Sequence, residues 1–541
     1  MEVQAMELEL NSLKEKKKWN KAGFKLPEFN IEDVRKNTMS KPNWVHFGAG
    51  NIFRAFLANV QQNILNEGKS DTGIIAVGGD SIETIYQAND NLTTLVTLKV
   101  DGSIDKTVIG SISESIVLDV KRGQNWERLK EIFKNPSLQM ASFTITEKGY
   151  TLEDSKGNYL QEVAEDFENG YATPLSYMGQ IAALLYERYK NDESPIAMVS
   201  MDNVSHNGTK LHDAIMSYAE KWNENQLVDK GFVDYIRDPN KVSFPWSMID
   251  KITPRPDDSV REMLKEVGFE NVEDMITARG SYVSPFVNAE EPEYLVIEDA
   301  FPNGRPNLDE GGIIFTDRET VDKAEKMKVS TCLNPLHTTL AIYGCLLGYD
   351  LISKEMEDSE LRIMVEKIGY EEGFPVVVDP GIIDPKEFID EVLQVRFPNP
   401  FIPDTPQRIA TDTSQKLGIR FGETIKAYVD REDLDVKDLK LISLVLAGWL
   451  RYLMGLDDEG NEMELSSDPL LDELLPHFEK IDLGDKGPFQ EELKPILSNK
   501  SIFGVDLYEV GLGNKVEEYF VELIKDKGAV RETLKKYVHS E

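Results

Sequence analysis

The chain has 541 residues, of which 40% are hydrophobic and 29% charged, a balance typical of a soluble globular protein with room for two or more domains. Its 96 acidic and 60 basic residues give a formal net charge of −36. This charge argues against nucleic acid or an anionic membrane as a partner, because both bind basic surfaces. It does not exclude a small anionic substrate, which needs only a local basic pocket.

The sequence favours a cytoplasmic location. Its first residues, Met1 to Ala5, lack the basic-then-apolar order of a signal peptide, and no apolar segment approaches the roughly 20 residues that span a bilayer. Cys332 and Cys345 lie in or beside an apolar stretch and are expected to be buried, reduced thiols. No cluster of cysteines and histidines predicts a zinc site. We therefore expect a cytoplasmic, soluble protein without a zinc site.

The first motif in chain order predicts a dinucleotide site. An apolar strand, Trp44–Phe47, is followed by Gly48-Ala49-Gly50 and then by a helical pattern. In this order the first glycine makes a tight turn, the second lets a pyrophosphate approach the backbone, and the helix N-terminus faces the phosphates. Phe53 stands where the motif usually has a third glycine. An ordinary turn between a strand and a helix is therefore the alternative.

The following segments predict the rest of an α/β domain. The apolar run Gly73–Gly78 leads to Asp80, and an acid at the tip of the second strand can bind the ribose 2′-hydroxyl, which favours NAD over NADP. Further strand-like runs are separated by helical patterns and comprise Thr94–Val100, Ser113–Val120, Met140–Thr146 and Ile196–Met201. This alternation predicts a mostly parallel, doubly wound sheet.

Polar turns follow two of these strands. One contains Thr146 and Glu147, and the other, Ser200–Gly208, contains Asn203. Ligand-binding residues of doubly wound sheets cluster beyond the carboxyl ends of the strands. For each turn a helix cap or an Asx turn is the alternative. A later segment rich in proline and aromatic residues carries Asp250 at its centre.

After about residue 319 helical periodicity dominates to the end of the sequence. The predicted organisation is an N-terminal extension with a short surface helix at 1–40, an α/β domain at 41–318 and a helical domain at 319–541. We expect the active site in the cleft between the two large domains, where ligand sites often lie.

The stretch from Glu325 to His337 suits a reaction that makes or breaks a carbonyl. Lys328 can carry a proton, and Asn334 and His337, three residues apart, share one face of a helix. The lysine would act as an acid or base, and the amide and the imidazole would form hydrogen bonds to the reacting oxygen. The structural alternative is that Asn334 is an N-cap before Pro335 and that Lys328 is solvated.

Two cations lie further along the chain. Arg408 and Lys416 follow the proline-rich segment Arg396–Asp404. They could converge on an anionic or polyhydroxylated ligand. The alternative is two surface cations on a helix.

Together these motifs, in order from Val45 to Lys416, resemble those of the polyol-specific long-chain dehydrogenase family. The resemblance implies a Rossmann-like N-terminal domain, a mostly helical C-terminal domain, NAD(H) as cofactor, metal-independent hydride transfer and a linear sugar acid or polyol as substrate. The resemblance in the segments Cys332–His337 and Ile252–Pro256 favours a family member that acts on a hexuronate. A family member that oxidises a polyol is the alternative. The chain is expected to be a monomer or a homodimer. Two other classes stay open, a non-catalytic sensor of sugar acids and an epimerase that uses bound NAD transiently.

The resemblance also assigns roles to individual residues. The general acid/base is matched by Lys328, and the pair that binds the reacting oxygen is matched by Asn334 and His337. Substrate-binding positions are matched by Asn203, Asp250, Arg408 and Lys416, and an acidic position on the proton path is matched by Glu325. The cofactor side comprises Gly48, Gly50, Asn51, Arg54, Asp80, Thr146 and Glu147.

The sequence departs from the family in the spacing around the lysine. The family has four residues between its lysine and asparagine, whereas five separate Lys328 from Asn334. On a straight α-helix, at about 100° per residue, Lys328 would then face away from His337. Pro335 disfavours α geometry at Asn334. We therefore predict a kink or a π-type bulge between residues 328 and 335; a straight helix would exclude Lys328 and leave Lys326 as the candidate. Phe53 and Phe56 also replace histidines that are common in the family.

Overall fold

The computed structural model describes residues 5–256, 258–277, 280 and 282–540. They form two compact units. The first unit runs from the N-terminus to Lys99 and from Ser103 to Asp322, and the second comprises Val100–Gly102 and the residues from Lys323 onward. The limits at residues 40 and 318 remain a prediction about which segments form separate domains.

All β-strands of the described chain lie in the first unit. They are β1 (Phe24–Lys25), β2 (Trp44–Phe47), β3 (Ile74–Gly78), β4 (Thr93–Leu98), β5 (Ile104–Ile109), β6 (Ile112–Val117), β7 (Met140–Phe143), β8 (Ile196–Ser200), β9 (Val242–Ser243), β10 (Ser247–Asp250), β11 (Met275–Ile276), β12 (Tyr282–Val283), β13 (Phe286–Glu290), β14 (Tyr294–Glu298) and β15 (Ile314–Thr316).

The main sheet has six strands in the order β6-β3-β2-β7-β8-β9, and every neighbouring pair is parallel. Every residue of β2, β3, β7 and β8 is buried, as expected of a parallel sheet that is covered on both faces. The chain starts this sheet at its centre with β2, builds outward through β3 and β6, and then continues on the other side with β7. The predicted doubly wound parallel sheet is confirmed.

The two faces of this sheet carry separate hydrophobic cores. Val45 and Phe47 of β2 belong to one core, together with helices that include residues 123–134 and 177–192. Trp44 belongs to the other core, together with Phe53 and Ile64. Because successive side chains of a strand point to opposite faces, one short apolar strand contributes to both cores.

One predicted strand belongs to a different sheet. The run predicted at Thr94–Val100 corresponds to β4, which pairs antiparallel with β5 and parallel with β13 in the four-stranded sheet β1-β5-β4-β13. Only five residues connect β4 to β5. A parallel pair needs a crossover of a dozen or more residues, so a connection this short imposes an antiparallel hairpin.

Residues 5–40 are part of the first unit, and several of their apolar side chains are buried. Trp19 is fully buried and packs edge-on against Phe24, with ring centroids 5.1 Å apart, and against Phe269, with centroids 6.1 Å apart. Leu8 and Leu13 are also buried. The burial of these residues distinguishes the segment from a purely polar surface extension.

The described residues form 23 α-helices. The first 11 begin in the first unit, and the last of these, α11, continues into the second unit. The other 12 lie in the second unit. The first group is α1 (Lys16–Lys21), α2 (Ile31–Ser40), α3 (Ala58–Asn66), α4 (Gly123–Lys134), α5 (Thr146–Gly149), α6 (Gln161–Asn169), α7 (Tyr177–Asp192), α8 (Asn207–Glu224), α9 (Lys230–Arg237), α10 (Asp258–Glu266) and α11 (Arg318–Met327). The second is α12 (Asn334–Leu347), α13 (Ile352–Glu355), α14 (Ser359–Lys367), α15 (Pro385–Glu391), α16 (Pro406–Ile409), α17 (Glu423–Asp430), α18 (Lys440–Leu453), α19 (Leu471–Leu474), α20 (Gln490–Leu497), α21 (Lys500–Phe503), α22 (Gly513–Leu523) and α23 (Ala529–Val538). Both counts refer to the described residues. The predicted change from an α/β to a helical architecture is confirmed.

Several helices contain or adjoin a π-helical turn, at Phe53–Leu57, Ile82–Tyr86, Lys328–Cys332, Ile368–Gly373, Val392–Arg396 and Gly418–Gly422. The turn at Lys328–Cys332 connects α11 to α12. It ends at Leu333, whose backbone lies outside the helical region (φ −130°, ψ −65°) and whose N–H donates to the carbonyl of Lys328 over 3.1 Å. The irregularity predicted between residues 328 and 335 is therefore confirmed.

Two further predictions concern the general chemistry of the chain. Cys332 and Cys345 are both buried, and neither forms a disulfide, as predicted. Over the described ranges, no helix has the length and apolarity needed to cross a bilayer.

Candidate active site

The glycine turn lies at the carboxyl end of β2, where the order of the main sheet reverses. Gly48 has a φ of +93°, and a Cβ at this position would lie 2.1 Å from the carbonyl oxygen of Thr144. Only glycine fits there. A Cβ on Gly50, by contrast, would meet no atom within 4 Å, so the backbone at Gly50 is open to a close approach. This pairing of a tight turn with an open backbone fits the pyrophosphate of a dinucleotide.

A chain of hydrogen bonds that starts at Trp44 of β2 holds the carbonyl of Gly48 in place. The indole N–H of Trp44 donates to Ser142 Oγ over 2.7 Å, and Ser142 Oγ donates to His46 Nδ1 over 2.7 Å. His46 Nε2 donates to Thr144 Oγ1 over 2.8 Å, and Thr144 Oγ1 donates to the carbonyl of Gly48 over 2.8 Å. The indole of Trp44 can only donate a hydrogen bond, so the Ser142 hydroxyl accepts from it and donates to His46 Nδ1. A neutral His46 then carries its proton on Nε2 and donates to Thr144. Burial lowers the pKa of His46 to about 3, which keeps the imidazole neutral.

His46 is expected to make stability depend on pH. Its folded pKa lies below its ordinary value of 6.5, so its contribution is fully present above pH 6.5 and is lost as the pH falls from there towards 3. Linkage predicts that the free energy of unfolding decreases by about 2 kcal/mol between pH 7 and pH 5 from this group alone. Urea unfolding at the two pH values measures the difference.

His46→Gln should reduce this pH dependence by the same amount, because it removes the titrating group. His212→Gln is the matched control, since the side chain of His212 on α8 is 36% exposed, whereas His46 is fully buried. If wild type and His46→Gln lose equal stability between pH 7 and pH 5, His46 is not the group responsible.

The Thr146 loop after β7 is held by a carboxylate that the sequence analysis missed. The backbone N–H groups of Ile145 and Thr146 each donate to Asp202 over 2.9 Å, and the hydroxyl of Tyr150 donates to Asp202 over 2.5 Å. Thr146 adopts a left-handed φ of +65°. Burial raises the pKa of Asp202. The signal was present in the sequence, because Asp202 directly precedes the predicted Asn203.

Asn51 and Arg54 are joined beside the glycine turn. The side chain of Arg54 is buried and donates to Asn51 Oδ1 and to the carbonyl of Ser284, each over 2.9 Å. Burial lowers the pKa of Arg54. The guanidinium therefore points inward and supports Asn51.

The remaining predicted residues of the first unit differ in exposure. Asp80 is half-buried beyond the end of β3, and the exposed Glu147 forms an ion pair with Lys210. Asn203 is exposed after β8, and Asp250 is the buried last residue of β10.

Lys328 is the first residue of the irregular turn in the second unit, and Asn334 follows the turn. The side chain of Lys328 is only 2% exposed. Asn334 is the first residue of α12 and Leu333 occupies the N-cap, so the alternative in which Asn334 is the N-cap is wrong. Among the described residues, the half-buried carboxamide of Asn334 has no hydrogen-bond partner. Glu325 is half-buried three residues before Lys328, on α11.

His337 lies one turn into α12 and faces a carboxylate. Its Nε2 is 3.4 Å from Asp404 Oδ2, and its ring centroid is 5.1 Å from that of Phe397. Burial lowers the pKa of His337 and Asp404 opposes this shift, while the charges of Arg420 and Arg408 add to it. The imidazole is therefore neutral near pH 7.

Asp404 connects His337 to the first of the predicted cations. Burial alone would raise the pKa of Asp404, but the interactions of its carboxylate with His337 and with the Arg408 guanidinium lower it. Arg408 forms an ion pair with Asp404. Sequence reasoning missed Asp404 as a site residue, although it ends the proline-rich segment that was noted.

The second predicted cation is also beside other charges. Lys416 is half-buried and donates to the carbonyl of Thr411. Burial lowers its pKa, and the nearby charge of Arg420 adds to this effect. The charge of Arg408 therefore acts on both His337 and Lys416.

The first unit offers a dinucleotide cradle at the reversal point of a parallel sheet, and the second offers a lysine, a carboxamide and an imidazole around one irregular turn. These features define a dehydrogenase of the Rossmann type. The family models described as "Mannitol dehydrogenase Rossmann domain" and "Mannitol dehydrogenase C-terminal domain" match residues 42–310 and 320–523. The chain belongs to the mannitol dehydrogenase family.

Individual relatives agree with this assignment. D-mannonate oxidoreductase of Thermotoga maritima is 53% identical over 99% of this chain and 100% of its own length. Among solved structures, D-sorbitol dehydrogenase in substrate-free form has a TM-score of 0.76 at 25% identity and covers 94% of this chain and 97% of its own. Pseudomonas fluorescens mannitol 2-dehydrogenase in complex with NAD and D-mannitol has a TM-score of 0.69 at 25% identity, covering 99% and 100%.

Proposed function

We propose that this protein is an NAD(H)-dependent D-mannonate oxidoreductase that interconverts D-fructuronate and D-mannonate. The observation that carries this function is the 53% identity, over essentially the full length of both chains, to the Thermotoga maritima enzyme of that name. The likeness spans both units, and so includes the dinucleotide cradle and the lysine turn. Tagaturonate reduction and mannitol oxidation are the alternatives within the same chemistry.

NAD(H), when bound, supplies or accepts the hydride at the reacting carbon. We assign Gly48 and Gly50 to its pyrophosphate, for which the tight turn and the open backbone are suited. Asp80 at the end of β3 is assigned to the ribose hydroxyls. Asn51 and Arg54 support the turn, and the loop at Thr146 and Glu147 borders it through Thr144.

We assign the proton transfer to Lys328. In the reductive direction its ammonium group donates a proton to the carbonyl oxygen, and in the oxidative direction its neutral amine accepts the proton from the hydroxyl. The low exposure of this side chain, 2%, keeps water away from the transfer. Positioned acid–base groups of this kind contribute about 10²–10⁴-fold to a rate. Glu325 is assigned to the path of the proton to solvent.

Asn334 and His337 are assigned to the reacting oxygen. The carboxamide of Asn334 lacks a partner among the described residues, so its N–H groups are available to a ligand. Removing one such donor typically costs about 10²–10³ in rate. Asn203, Asp250, Arg408 and Lys416 are assigned to the remaining hydroxyl and carboxylate groups of the substrate.

The enzyme is proposed to act in the cytoplasm on a small-molecule substrate, without nucleic acid or membrane, as a monomer or a homodimer. Size-exclusion chromatography with light scattering distinguishes the two assembly states.

The test of the function compares three ketones. NADH oxidation, followed by absorbance, is expected to give a kcat/KM for D-fructuronate at least about 10-fold above those for D-tagaturonate and D-fructose. A difference of this size corresponds to about 1.4 kcal/mol of transition-state binding. A preference for D-tagaturonate or D-fructose would contradict the substrate assignment while keeping the reaction. NADH binding without turnover of any ketone would contradict the enzyme and favour a sensor.

Product analysis covers the remaining class. Formation of a new sugar acid without a net change in NADH would indicate an epimerase and would contradict the proposed oxidoreductase.

A further inference from the structure

Arg408 and Arg420 act electrostatically on both His337 and a third cation, Lys416, in the second unit. Two of these three cations have compensating charges. Arg408 is paired with Asp404. Lys416 lies within electrostatic reach of Asp412 and Asp468 and also donates to a backbone carbonyl. Arg420 is different. In the described part of the chain it forms no ion pair, and its single hydrogen-bond partner is the hydroxyl of Thr338.

The environment of Arg420 makes this unpaired charge notable. The side chain is half-buried, and burial lowers its pKa to about 10. The guanidinium remains protonated near pH 7, so it is a cation that has lost much of its hydration. Removing a charge from water is unfavourable unless an opposite charge or hydrogen bonds replace that water. One bond to a neutral hydroxyl replaces little of it.

The unused donors of Arg420 suit a carboxylate. A guanidinium has five N–H groups in a planar fork, which matches the two oxygens of a carboxylate. Charge-assisted, bidentate hydrogen bonds of this type are roughly twice as strong as neutral ones. The Thr338 hydroxyl satisfies only one of the five groups.

The position of Arg420 connects it to the catalytic cluster. Arg420 lies in the π-helical turn Gly418–Gly422, and its partner Thr338 directly follows His337 on α12. The charge of Arg420 acts on both His337 and Lys416. In a chain with a net charge of −36, this local excess of positive charge beside the oxygen-binding residues marks a place for an anion.

We propose that Arg420 binds the carboxylate of the sugar-acid substrate and thereby selects sugar acids over uncharged ketoses and polyols. This assignment rests on the proposed function and deepens it. A linear hexuronate differs from a ketohexose of the same length in bearing a terminal carboxylate instead of a hydroxymethyl group. A cation with an unused fork of donors favours the first over the second. Arg408, already paired with Asp404, contributes less to this selection.

The test compares a charged and an uncharged substrate in Arg420→Gln. This variant keeps polar N–H donors but removes the charge. KM for D-fructuronate is expected to rise about 10- to 100-fold, the range of a charge-assisted contact, while kcat changes less than about threefold. The kinetic parameters for D-fructose are expected to stay within about threefold of wild type. If wild type turns D-fructose over too slowly, competitive inhibition by D-mannitol provides the uncharged comparison.

Two further variants separate binding from folding. Arg420→Lys keeps the charge without the fork, so its KM for D-fructuronate should lie between those of wild type and Arg420→Gln. Arg431→Gln is the matched control, because Arg431 is an exposed arginine of the same unit that is paired with Asp433. Thermal unfolding of each variant verifies that the protein is folded.

The outcomes distinguish this assignment from the proposed function. If Arg420→Gln changes the charged and uncharged ligands by the same factor, or leaves KM for D-fructuronate unchanged, the carboxylate assignment is overturned although the enzyme is active. If wild type itself does not turn over D-fructuronate, the proposed function is overturned. The wild-type protein alone gives this result, without the Arg420 variants.

Discussion

Lys328→Ala is expected to lower kcat for D-fructuronate reduction by about 10³-fold, within the range for loss of a positioned acid. Lys328 is a buried residue of the irregular turn, so bulk water cannot easily replace its side chain as a proton donor. NADH binding, measured by fluorescence titration, should be unchanged, because the glycine turn belongs to the first unit. Stopped-flow measurement of NADH oxidation gives the rate of the variant.

Lys326→Ala is the matched control. Lys326 is exposed on α11, two residues before Lys328, and its replacement should leave kcat within about twofold, as is usual for a surface position. If Lys326→Ala loses activity while Lys328→Ala retains it, the acid–base role belongs to Lys326.

The pH dependence of the reverse reaction adds a second readout. Oxidation of D-mannonate requires a neutral lysine, so the rate should increase as the pH rises through the pKa of the catalytic group. This dependence should disappear in Lys328→Ala. A wild-type profile that is flat, in an enzyme limited by the chemical step, would count against a lysine base.

The second large effect is expected at the glycine turn. Gly48→Ala places a side chain at φ +93° and a Cβ 2.1 Å from the Thr144 carbonyl oxygen. The backbone strain alone costs about 1–3 kcal/mol, and the displaced loop carries the hydrogen bond from Thr144 to Gly48. We expect the free energy of unfolding, measured in urea, to decrease by at least about 2 kcal/mol, with loss of NADH binding.

Gly50→Ala provides the contrast. A Cβ there meets no atom of the protein within 4 Å, so stability should be within about 0.5 kcal/mol of wild type. The methyl group would instead occupy space that the pyrophosphate needs, and NADH should bind about 10- to 100-fold more weakly. Unchanged NADH affinity in a stable Gly50→Ala protein would place the dinucleotide elsewhere.

Much of the fold could be predicted from short sequence patterns, because neighbouring residues determine where individual strands and turns form. Trp44–Phe47 forms the predicted strand, since a short, mostly apolar run between Pro42-Asn43 and Gly48 can bury both faces. The irregular turn was predictable from Pro335 and residue spacing. The sheet that contains β4 was missed because β4 pairs with β5 through a hairpin and with β13, which lies almost 190 residues later in the chain. A local pattern does not indicate such a distant partner.

The supporting residues of the candidate site could not be identified in the same way. Asp202 lies in a polar turn and Asp404 ends a proline-rich segment, and only the fold brings these carboxylates to the Thr146 backbone and to His337. Arg420 carries no motif of its own. Its significance comes from burial and from the charges around it, which are properties of tertiary structure.

The π-helical turn at Lys328–Cys332 has a consequence for how relatives of this protein are recognised. A π turn can accommodate one residue more than an α turn, so a single insertion is absorbed locally and α12 still begins cleanly at Asn334. A search pattern that fixes four residues between the lysine and the asparagine would therefore reject this chain, which has five. Patterns that anchor on the asparagine, proline and histidine, and leave the lysine spacing variable, would retain it.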